Sequence, residues 1–520
     1  MKKRLVVSFF IALFMISKVS ASTILQGHVY INKPVENSLI IIKDAQNINL
    51  TTATDENGFY RIDVSNLIAP ITISSNNNLL SPCNTGNASN CISSLINTLQ
   101  KDQVNIANVN PLTDLIVSDI AERLGYIGPA QFIIDGRAQS IESNIIAQAN
   151  NRFYNIFATA LQQVGIAPQL FNPISSNEPK INKLLELIMH NRGYNSNSGE
   201  TSNTILLDMR FNPISEQTPF DYTQSLNEKE HILNAEKRIF IISDSTASNY
   251  DKKVYPRMGW GQVFDKFIIK DANTIVINGA QSGRSSRSFY NEGWLDLMVP
   301  FMQEGDYIII AFGHNDEKCD VSNAKRGEAD IAHLCTYPND LDNNKQYPVG
   351  QEYMSFSTSL ERYINFAKAK GMVPILMTPV TRFRNTNNQV AYQNNDVSPV
   401  VSNHYTKNKN GFLYWGNYSN TIKFVAEKNN IPLIDLEELS IDFANRHQDD
   451  WQSYWLVIDP NDARYPYYKT QSLGTTNNPD TTHFQEKGAL AMAKIIAKAI
   501  KNMSSLQNFP LKIESDYINE

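Results

Sequence analysis

The sequence carries no surplus of positive charge: 46 Lys and Arg stand against 52 Asp and Glu, and no cluster of basic residues forms a patch. A nucleic-acid partner needs such a patch, so that class of function is set aside. Beyond the N-terminal segment, no run of apolar residues approaches the roughly 20 that span a bilayer as a helix. No spacing of His, Cys, Asp and Glu fits a zinc or calcium site, so neither a metal nor another cofactor is expected. The Gly-x-Ser-x-Gly elbow of the α/β-hydrolases is missing as well. Cysteine is scarce, with four in the chain.

The N-terminus reads as a signal peptide over residues 1–21. Lys2, Lys3 and Arg4 precede an apolar stretch from Leu5 to Ile16, and Val19-Ser20-Ala21 is a small-residue cleavage site. The stretch is too short to act as a comfortable membrane span, and no cysteine near the cut offers a lipid anchor. The expectation is export, to the periplasm or the medium, with no stable membrane anchor. Export makes the cysteines disulfide candidates, and the simplest of three connectivities pairs Cys83 with Cys91 and Cys319 with Cys335.

Residues 22–75 alternate in the manner of β-strands, at Leu25–Ile31, Leu39–Ile42 and Tyr60–Val64. Thr54-Asp55-Glu56-Asn57-Gly58-Phe59-Tyr60 has turn chemistry at its centre. It resembles the T-D-x-x-G-x-Y hairpin of carboxypeptidase regulatory-like domains, which are small transthyretin-like sandwiches; the resemblance implies a module without chemistry. Residues 76–236 read as a mostly helical region with a linker. Asn110 caps a helix that has Pro111 at its first position, Arg137 to Val164 forms a second, and Ile181 to His190 a third that stops at Gly193. His190 is expected to face solvent or the terminal carbonyls, and Asn191 to Asn203 to be a loop.

From residue 237 to 503 strands and helices alternate. Ile239–Ile242, Thr274–Asn278, Tyr307–Phe312, Val373–Thr378 and Pro432–Leu436 are strand-like; Tyr353–Lys370, Ser419–Asn429 and Gln485–Ile500 are helix-like. This rhythm predicts an α/β fold with a parallel sheet covered by helices on both faces. In such sheets chemistry sits just past the carboxyl ends of the strands. The first strand ends in Ser243-Asp244-Ser245, the second in Asn278 to Phe289, and the third in Gly313-His314-Asn315-Asp316; Asp480-Thr481-Thr482-His483 precedes the last helix.

These four blocks, in this order, resemble the SGNH (GDSL-type) esterases, most closely the rhamnogalacturonan acetylesterase group. Arg257-Met258-Gly259-Trp260-Gly261 resembles the Gly-Trp-Gly segment of the same group, and Ser243 stands where the family usually has glycine. The resemblance implies a three-layer α/β/α domain with a five-stranded parallel sheet. It implies Ser245 as nucleophile, His483 as base and Asp480 as its orienting carboxylate. It also implies an oxyanion hole made of the Ser245 and Gly283 backbone N–H groups and the Asn315 amide. A hydroxyl needs such a base and such donors to attack an ester at neutral pH.

Arg284 and Arg287 are candidates for binding an acidic sugar. Trp455, in the aromatic insertion Trp451–Thr476, is a candidate platform for stacking on a sugar ring. The expected function is removal of O-acetyl groups from a polysaccharide of pectin or rhamnogalacturonan type. A lipid or aryl esterase, or a non-catalytic carbohydrate-binding protein, stands as the alternative. Residues 504–520 read as a tail.

Overall fold

The computed structural model describes residues 22–76, 91–135, 141–195, 200–269, 273–317, 336–347, 349–393, 395–406 and 416–511. Cys83, Cys319 and Cys335 lie outside these residues; Cys91 is buried and is not a free thiol. Among the described residues no helix is long and apolar enough to cross a membrane.

Two small sheets open the chain. One is ordered Phe59–Asp63, Ile24–His28, Val104–Ile106; the other is ordered Asn49–Ala53, Leu39–Lys43, Ile71–Asn76, Ile92–Ile96. They share a core that includes Leu25, Ile40, Ile42, Tyr60, Ile73 and Ile92. The Asp55 carboxylate accepts the N–H groups of Asn57 and Phe59, both at 2.9 Å, and closes the expected turn. The last strand of each sheet lies beyond residue 75, past the apparent end of the β pattern.

Helix α1, Pro111–Arg123, starts at Asn110, whose side chain accepts from the N–H groups of Leu112 and Thr113. Helix α2 spans Ser143–Gln163. The third expected helix is cut short. It runs only from Ile181 to Leu185, and Met189–Asn195 then pairs antiparallel with Glu200–Leu207 where a loop was expected.

His190 therefore does not face solvent; it is buried, and its Nε2 lies 2.9 Å from the Asp114 carboxylate. Arg192 (2.7 Å), Ser93 (2.6 Å) and Thr204 (2.5 Å) donate to the same carboxylate. Burial would raise the pKa of Asp114, but Arg192 and His190 outweigh it and hold the carboxyl below the usual range. The polar composition of this hairpin mimics a solvated loop because several of its side chains serve one buried charge.

The five-stranded sheet consists of β1 Lys237–Ser243, β2 Thr274–Asn278, β3 Tyr307–Ala311, β4 Val373–Met377 and β5 Leu433–Ile434. It is parallel throughout, in the order β2-β1-β3-β4-β5. The chain leaves β1 for one side, to β2, and then returns to the other, to β3. That reversal opens a crevice at the carboxyl end of β1, where Ser245 follows.

Side chains alternate between the two faces. Phe240, Ile242, Ile277, Ile308 and Ile310 join one core with α1, α2, α3 (Phe356–Ala369) and α4 (Tyr418–Asn429). Ile239, Ile241, Val276, Ile309 and Ile375 join the other core with Trp260–Phe267, α5 (Leu436–Arg446) and α6 (Glu486–Lys501). This is the three-layer α/β/α arrangement. The helical region before residue 237 contributes to the first of these cores instead of standing apart.

A buried arginine marks the junction. Arg238 donates to the carbonyls of Ile232 (2.7 Å), Leu233 (3.0 Å) and Ala235 (2.8 Å), and its other guanidinium nitrogen meets Asp306 at 3.3 Å.

Candidate active site

Ser245 sits in the turn that follows β1. Asp244 Oδ1 accepts the Thr246 N–H at 2.9 Å and the Thr246 hydroxyl at 2.8 Å, which fixes the turn from inside. Ser243, at the usual glycine position, is still in the strand, and its hydroxyl donates to the Ala311 carbonyl of β3 at 2.5 Å. Its φ is not positive, so a side chain there costs nothing in backbone strain.

Asp480 and His483 lie on one strand, Asp480–Gln485, which leads directly into α6. That strand is paired on one side with Arg257–Met258 and on the other with Trp455–Leu456. His483 Nδ1 is 2.6 Å from Asp480 Oδ2, and His483 Nε2 is 2.8 Å from Ser245 Oγ. Asp480 Oδ1 accepts the N–H groups of Thr482 (3.0 Å) and His483 (3.1 Å). Burial works against its charge, but the His483 bond, the Thr482 N–H and the nearby Arg257 hold Asp480 below the usual carboxylate range. An ionised carboxylate on Nδ1 fixes the tautomer that leaves Nε2 to take a proton from Oγ.

The loop after β2 is tied to the nucleophile turn, since Gln281 N–H donates to the Ser243 carbonyl at 3.0 Å. Gly283 has φ +81°, and a Cβ added there would meet no other atom within 4 Å, so it would project into open space. Glycine is required at this position by conformation, not by crowding. The Gly283→Ala variant is expected to lose about 1 kcal/mol of stability from left-handed strain. A thermal melt compared with wild type checks this, and an unchanged midpoint would show that the loop readjusts.

The Asn315 amide donates to the Arg284 carbonyl at 3.1 Å, which orients it against the same loop. Next to it, Asp316 is buried and accepts from Ser286 N–H (3.0 Å) and Ser286 Oγ (2.7 Å). Burial nonetheless pushes its carboxyl up to about 7.

The three residues expected to meet the sugar are placed otherwise. Trp455 is fully buried, with the rings of Phe383 and Phe484 at 5.0 and 5.8 Å. It is part of the core and cannot stack on a ligand from solvent. Trp451 stacks on Phe383 at 4.5 Å and is equally buried, so the tryptophans of the insertion fasten it to the domain. Of the insertion's tyrosines, Tyr465 and Tyr467 keep partial exposure. Arg284 is committed to Glu292 (2.8 Å) and the Ser282 carbonyl (2.7 Å). The Arg287 guanidinium lies 5.4 Å from the Tyr353 ring centroid, and little of that arginine is exposed.

Among the described residues, one cluster of metal-ligand type has no counterpart in the sequence spacing. His314, Glu317 and His404 bring one ligand atom each to within 4.8 Å of one another. His404 is 87 residues from Glu317, so no local spacing betrays it. The Arg382 guanidinium bonds to Glu317 and lies 3.5 Å from His404 Nδ1, so it already supplies the positive charge that Glu317 calls for.

Residues 239–496 match the family model described as GDSL-like lipase/acylhydrolase. Among curated proteins, the rhamnogalacturonan acetylesterase RhgT of Bacillus subtilis (strain 168) is 27% identical over 276 residues, which is 53% of this chain and 92% of RhgT. The probable rhamnogalacturonan acetylesterase YesY of the same organism is 28% identical over 266 residues, 51% of this chain and 93% of YesY. The uncharacterized esterase YxiM, also from that strain, is 26% identical over 271 residues, 51% of this chain and 52% of YxiM.

Proposed function

Because the chain belongs, through residues 239–496, to the GDSL (SGNH) lipases and acylhydrolases and is a carboxylic ester hydrolase, we propose that it removes O-acetyl groups from a polysaccharide through an acyl-enzyme. The observation that carries the mechanism is the relay of 2.8 Å and 2.6 Å from Ser245 through His483 to Asp480. Ser245 Oγ attacks the ester carbonyl while His483 Nε2 takes its proton. Asp480 holds the imidazole and stabilises its positive charge. The oxyanion is met by the backbone N–H groups of Ser245 and Gly283 and by the Asn315 amide. His483 gives the proton to the departing sugar oxygen, which leaves as a hydroxyl, and water admitted to the site then releases acetate by the same route.

The acetyl group and a rhamnogalacturonan-like polymer are supported by RhgT and YesY, whose names state that activity. Export, and the pairings Cys83–Cys91 and Cys319–Cys335, belong to the same reading; a Cys91 that is not a free thiol is consistent with them. With Trp455, Arg284 and Arg287 engaged inside the protein, sugar contacts fall to groups nearer the surface, of which Tyr465 and Tyr467 are the aromatic candidates.

The test is a series of p-nitrophenyl esters alongside acetylated pectin. The expected result is that kcat/KM falls from acetyl through butyryl to octanoyl, and that acetate is released from the polymer. In an open apolar groove each added methylene would instead contribute about 0.8 kcal/mol to binding. Specificity constants that rise with chain length would therefore point to a lipid esterase.

A further inference from the structure

Tyr250 follows the nucleophile by five residues, and its hydroxyl donates to the Ser245 carbonyl at 2.7 Å. The side chains of Ser282 and Arg257 are near enough to act on the ionisation of that hydroxyl. Ser282 is the residue before Gly283, in the loop that closes on the nucleophile turn. The Arg257 guanidinium sits 4.5 Å from the centroid of the Tyr250 ring, a cation–π arrangement. Arg257 in turn pairs through its backbone with Gln485, on the strand that carries Asp480 and His483, and its charge acts on Asp480. The tyrosine N–H is anchored independently, by Gln262 Oε1 at 3.0 Å. One phenol therefore touches or adjoins all three segments whose relative placement makes the site: the Ser245 turn, the Gly283 loop and the His483 strand.

Given that Ser245 is the nucleophile, we propose that Tyr250 is a positioning residue for ester hydrolysis. Its hydroxyl sets the peptide plane after Ser245, and its ring, clasped by Arg257, keeps the nucleophile in register with the base. The chemistry needs this because a catalytic group displaced by about 1 Å costs on the order of 10²-fold in rate. Neither the hydroxyl nor the guanidinium takes or gives a proton in the reaction. The phenol is suited to the task because burial raises its pKa, so it remains a donor at neutral pH. Arginine suits the other half, since its planar cation can cover the ring and lie beside a carboxylate at once.

The test compares wild type, Tyr250→Phe, Arg257→Lys and Arg257→Met on p-nitrophenyl acetate, with a thermal melt of each. Tyr250→Phe is expected to lower kcat by about 10- to 100-fold, in line with a sub-ångström shift of the nucleophile, and to leave KM within about twofold. Arg257→Lys, which keeps a cation over the ring, should retain more kcat than Arg257→Met. Should Tyr250→Phe fail to fold, the two arginine variants carry the test. An active wild type whose Tyr250→Phe variant turns over at the same rate, or loses only in KM, overturns the positioning role alone. So does equal activity of Arg257→Lys and Arg257→Met. A wild type without esterase activity overturns the hydrolase mechanism, and this inference with it.

Discussion

Ser245→Ala should leave a folded protein whose ester hydrolysis is slower by a factor on the order of 10⁶ in kcat. The loss is large because the members of such a relay act as a unit, so a base without its nucleophile contributes almost nothing. Stability should barely change. Ser245 contributes one hydroxyl, and the turn around it is held by Asp244, Thr246 and Ser243, which the substitution does not touch. The measurements are acetate release and a thermal melt, together with labelling of the wild type by an organophosphonate. Labelling at Ser248 or Ser285, or appreciable turnover in the alanine variant, would reject Ser245 as the nucleophile.

The second expected result is a loss of folding. A chain that starts at residue 237 contains every segment matched by the family, yet it should be insoluble or melt without a cooperative transition. Three observations lead there. Phe240, Ile242 and Ile277 share one core with Phe153, Phe157, Leu161, Phe211 and Phe220 from the preceding region. Arg238 would lose its carbonyl acceptors at Ile232, Leu233 and Ala235 while remaining next to Asp306. Asn249, just past the nucleophile, would lose the carbonyls of Arg210 and Phe211 at 3.3 and 3.2 Å.

Each fully uncovered Val, Leu, Ile or Phe side chain costs about 1.5–3 kcal/mol, and an orphaned buried charge costs several more. A handful of such losses equals the whole stability of an ordinary domain, about 5–15 kcal/mol. RhgT and YesY align over more than nine-tenths of their own lengths with about half of this chain, so any sheet of theirs corresponding to this one manages without such a region. A soluble residue 237–520 fragment with a sharp melt and full activity would show that this sheet can do the same.

Much of the site is legible in the sequence because strand ends are abrupt. Ile239 to Ile242 runs apolar and stops at a serine, and the same break recurs at Asn278 and at Phe312. The convergence of these ends was not in the spacing; it came from a family resemblance, and the Oγ–Nε2 contact spans 238 residues. The failures have a common cause. Trp455 looked like a ligand platform, and residues 191–203 like a loop, because composition does not tell which way a side chain points. A tryptophan in a polar insertion can be the rivet that holds the insertion down, and a polar hairpin can be wrapped around a buried aspartate. Helix α5 is equally hidden in the sequence, since Asp435 caps it immediately after β5 with no linker to signal a change. The shared core of residues 95–235 with the sheet was invisible for a different reason: an amphipathic helix announces that it has a buried face, but not what covers it.

The strand that carries Asp480 and His483 has a consequence for how the molecule comes into being. It is held on both edges by short pairings, Arg257–Met258 on one side and Trp455–Leu456 on the other, and its far end is the start of α6, which packs on the back of the sheet. During synthesis from the N-terminus, Ser245 is made more than two hundred residues before its base. The sheet that displays it can begin to assemble while the relay is still missing. Such distant pairings close late and slowly, because the chain entropy of a long loop must be met before any contact returns it. Hydrolytic competence should therefore be the last property this protein acquires as it folds, arriving after compactness and secondary structure. The enzyme's own activity then becomes a stopwatch for the final docking of its C-terminal helix.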